Sequence, residues 1–437
     1  MNESKQIGFW TCTALVVGNC IGMGIFLLPA SLAPYGFNAT IGWGITVVGC
    51  IALARVFARL ARELPNADGP YGYVRSTLGE LPAYIALWCY WVSLWITNAA
   101  LATGVVAYIT AVFPQLGQLQ PSLFALGLLW AFVIINLCGV RAGGSVQIAT
   151  TVLKLLPMLA IAVLAVWMLV EAPQAYVSHL PSKPITLGDA MAASTIALFA
   201  MLGIESATVP ASRVENPGRT IPRATLVGTL LTAAIYLIVS TVPMLLLPEQ
   251  ELANAPAPFA LLMDRFVGEG VGRWLALFVV VSGLGALNGW TLLVGELTRT
   301  MADNGVLPAF LSRNNRRGAP GFALIVTALL ASAMILMNYS KSLVNGFTVL
   351  SQVVTAANLP LYLCCSLALA VLWYRGKRLD DKAIRGLVLI SALGTAYSIF
   401  AFIGMGHEAF MMALVLAACG LPLYIFMRIL RARLNRS

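Results

Sequence analysis

Twelve stretches of this chain are long, apolar and nearly free of charge, and they leave few architectures open. They begin near Gly8, Ala39, Ala83, Ser122, Gly144, Asp189, Pro222, Arg273, Gly321, Ser342, Arg385 and Glu408. A helix crossing the roughly 30 Å hydrocarbon layer needs about 20 mostly apolar residues. Backbone polar groups in lipid must be satisfied internally, which favours helices. The expected fold is an all-α polytopic membrane protein with twelve transmembrane helices.

Composition agrees, with 59% hydrophobic and 10% charged residues, where average soluble domains carry about a quarter charged. The longest connection, about 25 residues between helices 7 and 8, leaves no room for a separate catalytic domain. Function is therefore expected among the helices, in a single membrane domain spanning 1–437. The first run lacks a secretory cleavage pattern and reads as a retained helix.

Basic residues set the expected orientation. If both ends share a side, that side holds 22 of the 27 basic residues, including Arg55, Arg59, Arg62, Arg219, Arg223, Arg313, Arg316 and Arg317. The other face has only Lys183, Arg265, Arg273 and Lys341, and Lys154 lies within helix 5. Both termini are expected in the cytoplasm, in a bacterial-type inner or plasma membrane. The net charge of +10 is spread over every cytoplasmic loop, so it indicates topology and anionic lipid contact, not a nucleic-acid partner.

The eight cysteines lie in or beside apolar runs and form no CxxC pair, so neither a disulfide framework nor a zinc site is expected. His179 and His407 fall in external loops, which leaves no histidine metal or nucleophile site at membrane depth. The chain has no GxxxxGK[ST], HExxH or GxSxG. ATP hydrolysis and intramembrane enzyme chemistry are not expected, and no cofactor is implied.

Two of the helices are interrupted. Helix 1 carries Gly18, Gly22 and Gly24 in "VVGNCIGMGIF", and helix 6 carries "FAMLGIESATVPAS", with Gly203, Glu205 and Pro210. Such glycines can serve close helix packing. They can also mark broken backbone, which membrane proteins tolerate where it lines a cavity. Breaks at corresponding places in two successive sets of five helices point to an inverted-repeat transporter with a site near the midplane.

Lys154 sits about ten residues into helix 5, roughly 15 Å deep at 1.5 Å per residue. A lone charge at that depth costs at least about 3 kcal/mol. It must be neutral, paired or hydrated: either a proton carrier or a cationic pin on open carbonyls of helix 1. Glu205, after the second break, reads as a gate or proton-sensing carboxylate, or as a cap on the following half-helix. Glu296 and Arg299 are expected to form an interfacial ion pair.

The strings "GNCIGMGIFLLPASLA", "DGPYGYVRSTLG", "GIESATVPASRVENPGRTIPRA" and "GWTLL", in this order, resemble the amino acid–polyamine–organocation superfamily. Within it they resemble the basic amino acid/polyamine antiporter branch, which includes arginine/agmatine, lysine/cadaverine and putrescine/ornithine exchangers. The resemblance implies a five-plus-five inverted repeat of the LeuT-like kind: residues 7–171 as helices 1–5, 189–374 as helices 6–10, and 385–430 as helices 11 and 12. It also implies alternating access, and often a homodimer made through helices 11 and 12.

By position, the resemblance places a substrate α-carboxylate on backbone amides of Asn19, Cys20, Ile21, Gly22, Met23 and Gly24. The α-amino group falls among carbonyls around Phe199, Ala200, Leu202 and Gly203, near Glu205. The distal group meets Ser93, Leu94, Asn98, Trp290 and Thr355, and Tyr90 and Tyr362 match aromatic gates. Met23, Phe199 and Leu94 depart from the cationic exchangers toward a more apolar pocket. Lys154 matches relatives that carry lysine in place of a sodium ion. The implied function is sodium-independent exchange of a cationic amino acid and its amine, with proton coupling through Lys154. A neutral amino-acid transporter is the alternative, and a non-transporting amino-acid sensor a third reading.

Overall fold

A computed structural model describes residues 8–64, 67, 69–138, 141–205, 214–338, 340–375 and 381–434. Within these it describes all side chains except those at 11, 15, 19, 141–152, 177, 217, 381–385 and 431–434. Pro210 of the second break, Arg213 and Lys5 lie outside the described residues.

The helices run in order α1 (Phe9–Cys20), α2 (Gly24–Leu32), α3 (Phe37–Glu63), α4 (Gly69–Leu78), α5 (Glu80–Val112) and α6 (Pro121–Leu137). Next come α7 (Arg141–Glu171), α8 (Ala175–Ser178), α9 (Leu187–Met201), α10 (Pro217–Leu246), α11 (Glu249–Asn254) and α12 (Pro258–Phe266). The chain continues with α13 (Val271–Asp303), α14 (Gly321–Met337), α15 (Leu343–Arg375), α16 (Asp381–Gly404), α17 (His407–Ala418) and α18 (Gly420–Leu434). Among the described residues, eight spans are long and apolar enough to cross a membrane, and four shorter apolar helices accompany them.

The core is built around α5, whose most apolar stretch is 94% buried. It packs chiefly on α15 and α13. A helix that is apolar all round belongs in such a place. By contrast Leu414, Val415, Ile425 and Phe426 on α17 and α18 are exposed, as expected of side chains that face lipid.

Two connections carry more structure than their loop-like composition implies. "DGPYGYVRSTLG" supplies α4, a ten-residue helix packed on α5 and α15 with Tyr73, Val74 and Thr77 buried. The stretch between the seventh and eighth runs contains α11 and α12, and Phe259 of α12 meets Phe26 of α2 edge to face at 5.6 Å. Periodicity is weak in such short segments, so tertiary burial decides their conformation. Arg299 and Glu296 pair at 3.6 Å, as their spacing predicts.

Candidate substrate site

The first apolar run is broken between Cys20 and Gly24. Each glycine lowers helix stability by about 1 kcal/mol relative to alanine. Packing explains one of them directly: a Cβ on Gly24 would stand 2.9 Å from the Phe199 ring. The α9 run ends at Met201, Leu202 turns extended, and Gly203 takes φ +106°. That left-handed backbone favours glycine.

Breaking a helix frees carbonyls that must find other donors. The Gly18 carbonyl accepts from Lys154 Nζ at 3.3 Å, and the Cys20 carbonyl accepts from the Tyr236 hydroxyl at 2.8 Å. The Cys20 thiol donates to the Met201 carbonyl at 3.8 Å, stitching the two breaks together. On the far side of the first break, Gly22, Met23 and Gly24 lead into the N-terminus of α2. A helix start presents free N–H groups and the positive end of the helix dipole.

Glu205 is 1% exposed and accepts a hydrogen bond from the Tyr362 hydroxyl at 2.8 Å. Tyr90 and the backbone amides of Gly203 and Glu205 complete its shell. This is a buried carboxyl held by four donors, from α5, α15 and the non-helical stretch after α9. Lys154, 2% exposed, does not join it: among the described residues no carboxylate lies within 4 Å of its ammonium.

Most of the expected site residues surround one cavity. Cys20, Gly22, Met23, Gly24, Tyr90, Ser93, Leu94, Phe199, Ala200, Leu202, Glu205 and Trp290 line it. Ile21 and Gly203 lie within the two breaks behind this wall, and Tyr362 reaches it through Glu205. The backbone of Asn19 belongs to the last turn of α1, and its side chain lies outside the described residues. Asn98 and Thr355 are buried but not among the lining residues; the Thr355 hydroxyl donates to Ser351 of its own helix at 2.9 Å.

In their place the wall contains Thr97, Leu101, Val354 and Asn358. Helical spacing is consistent with them without singling them out, since Asn98 is four residues beyond Leu94 and Thr355 three before Asn358. Tyr90, Ser93, Leu94, Thr97 and Leu101 follow the three- and four-residue steps of one helix face, as do Val354 and Asn358. Asn98 falls one step round the helix from Thr97.

The cavity measures about 30 Å³, room for one or two waters. An amino acid enters only when side chains or half-helices move apart. Met23 is one of the cavity's lining residues. It is fully buried, with Gly104 and Gly283 opposite: a Cβ on Gly104 would meet Met23 Cγ at 3.0 Å, and one on Gly283 would meet its sulfur at 2.7 Å. Two glycines on α5 and α13 thus make room for a methionine between the halves of helix 1.

The site combines amides at a positive helix end, a buried carboxyl and an aromatic wall. Those groups can hold a small zwitterion by both ends. A broken-helix, all-α fold with this site defines a solute permease of the membrane, and the comparisons agree: the chain matches the amino acid permease family over residues 7–418 and belongs to it. It is 31% identical to the putrescine transporter PotE of Haemophilus influenzae, covering 97% of both chains. It is 30% identical to a putative arginine/ornithine antiporter of Bacillus subtilis, covering 98% of each chain. It is also 31% identical to a cadaverine/lysine antiporter of Escherichia coli, over 77% of this chain and 76% of that one.

Proposed function

We propose that this permease is a sodium-independent secondary transporter that exchanges a cationic amino acid and its amine by alternating access. Twelve membrane segments in a five-plus-five inverted repeat, with cytoplasmic termini, are part of this reading. The observation that carries it is the meeting of the interrupted first helix and the C-terminal end of α9 at one cavity, with α2 amides on one side and Glu205 on the other. The names of the relatives support polyamine and cationic amino-acid substrates.

In this reading the substrate carboxylate sits at the start of α2, and the α-ammonium meets the carbonyls after Phe199 beside Glu205. The distal ammonium points toward Trp290 and Asn358. Among the described residues the Asn358 side-chain oxygen is buried without a hydrogen-bond partner, and it would accept from such a group. Amine substrates lacking the carboxylate would leave the α2 amides to water. Lys154 supports sodium independence, since its ammonium takes the Gly18 carbonyl, and it is the group proposed to couple transport to protons.

A second reading, a neutral amino-acid transporter, is favoured by the apolar wall of Leu94, Leu101, Leu202, Phe199 and Val354. Counterflow in proteoliposomes separates the two. Vesicles loaded with unlabelled arginine, ornithine, putrescine, leucine or methionine are tested for uptake of the labelled counterparts. Accumulation driven by ornithine or putrescine supports the first reading, accumulation driven only by leucine or methionine supports the second, and none with any substrate rejects both.

A further inference from the structure

Away from the substrate cavity, Arg55, Arg59 and Arg62 of α3 and Arg219 and Arg223 of α10 line a single groove of about 620 Å³. Their spacing places them together: 55, 59 and 62 lie on one face of α3, and 219 and 223 are one turn apart at the start of α10. Ala58 of α3, Gly218 and Pro222 from the first turns of α10, and Ile390 of α16 complete the wall.

A general excess of arginine on the cytoplasmic side explains why such residues are present. It does not explain why five share one groove. Among the described residues none of the five has a carboxylate within 4 Å, and the flanking Glu63 and Glu215 form no ion pair. Five like charges in one groove repel one another unless an anion sits among them. Guanidinium forks match phosphate oxygens two bonds at a time. The N-terminus of α10, a 30-residue helix, adds the positive end of its dipole from the same wall.

We propose that this groove binds a phosphate-bearing anion, either the headgroup of an anionic phospholipid or a free phosphate compound. The two sources share the same recognition, a phosphate oxygen face gripped by α3 and α10 arginines. The site is separate from the substrate cavity and does not rest on the transport reading.

The test uses the full chain in detergent micelles doped with dioleoylphosphatidylglycerol or dioleoylphosphatidylcholine, with retained lipid counted by native mass spectrometry. A second arm adds inorganic phosphate against chloride at constant ionic strength. Each surface guanidinium is worth about fivefold toward an anionic lipid, so Arg59→Gln/Arg219→Gln/Arg223→Gln should lose up to about a hundredfold of the phosphatidylglycerol preference. Arg313→Gln/Arg316→Gln/Arg317→Gln removes the same charge elsewhere and should keep it. Should the first variant fail to fold, Arg223→Gln alone should lower the preference about fivefold.

Displacement of lipid by phosphate, with a higher Tm in phosphatidylcholine micelles, assigns the site to phosphate as such; preference for phosphatidylglycerol without a phosphate effect assigns it to the lipid. Equal retention of both lipids with no phosphate effect overturns the proposal, and so does equal loss of preference in the two triple variants.

Discussion

Lys154 Nζ stands 3.3 Å from the carbonyl oxygen of Gly18, which an unbroken helix would give to the amide of Gly22. A cation from α7 thereby supplies the donor that the interruption of the first helix removes. The broken backbone and the buried charge explain each other: the free carbonyl gives the ammonium a partner, and the ammonium satisfies the carbonyl.

Removing that donor should loosen the break without unfolding the bundle. Lys154→Ala should slow counterflow about tenfold or more, from the loss of a charge-assisted hydrogen bond worth about 1.5–3 kcal/mol, while elution on size exclusion stays unchanged. Counterflow rate and pH dependence identical to the wild type would reject both the pinning and the proton-coupling roles.

Glu205 is gripped by Tyr362 at 2.8 Å. Glu205→Gln keeps the size of the side chain but cannot titrate, so whatever pH dependence of turnover this carboxyl carries should be lost. Tyr362→Phe leaves a carboxyl that still titrates, so a pH dependence should remain while the rate falls by about tenfold, the value of one hydrogen bond to such a group. A pH profile unaltered in Glu205→Gln rules out the carboxyl as a gate.

Gly283 faces the sulfur of Met23 at a distance that leaves no space for a methyl group. Gly283→Ala should lower stability by about 1–3 kcal/mol through overpacking, read as a drop in Tm. Adding Met23→Ala should recover part of that loss, because the larger partner is gone; Val105, the other neighbour at this spot, keeps the recovery incomplete. Strictly additive effects would show that the two residues do not meet.

Trp290 lines the same cavity as Leu94 and Ser93. If its ring faces the distal ammonium, Trp290→Leu should raise the apparent KM for ornithine or putrescine about 2- to 30-fold, corresponding to about 0.5–2 kcal/mol of cation–π attraction. The KM for leucine should change less. An equal change for charged and neutral substrates argues for a packing role only.

Much of this architecture is legible along the chain. Apolar runs of membrane length, the glycine clusters at Gly22 and Gly203, and a lysine inside an apolar helix at Lys154 each follow from one-dimensional rules of length, propensity and charge. The ion pair of Glu296 with Arg299 follows from i,i+3 spacing in the same way. Thr97 and Asn358 were harder, because a wall residue differs from its buried neighbours Asn98 and Thr355 only in the rotation of its helix. That rotation is set by packing against other helices.

The sequence alone determined that this chain crosses a membrane many times, that its first helix is interrupted, and that a lysine must be accommodated inside. Apolar length and backbone propensity are local properties, so they need no partner to be read. Only the tertiary structure decided which donor meets which freed carbonyl, how Gly104 and Gly283 make room for Met23, and that five arginines from α3 and α10 share one groove. Each of those depends on side chains distant in sequence arriving within a few ångströms of one another, which is a property of packing.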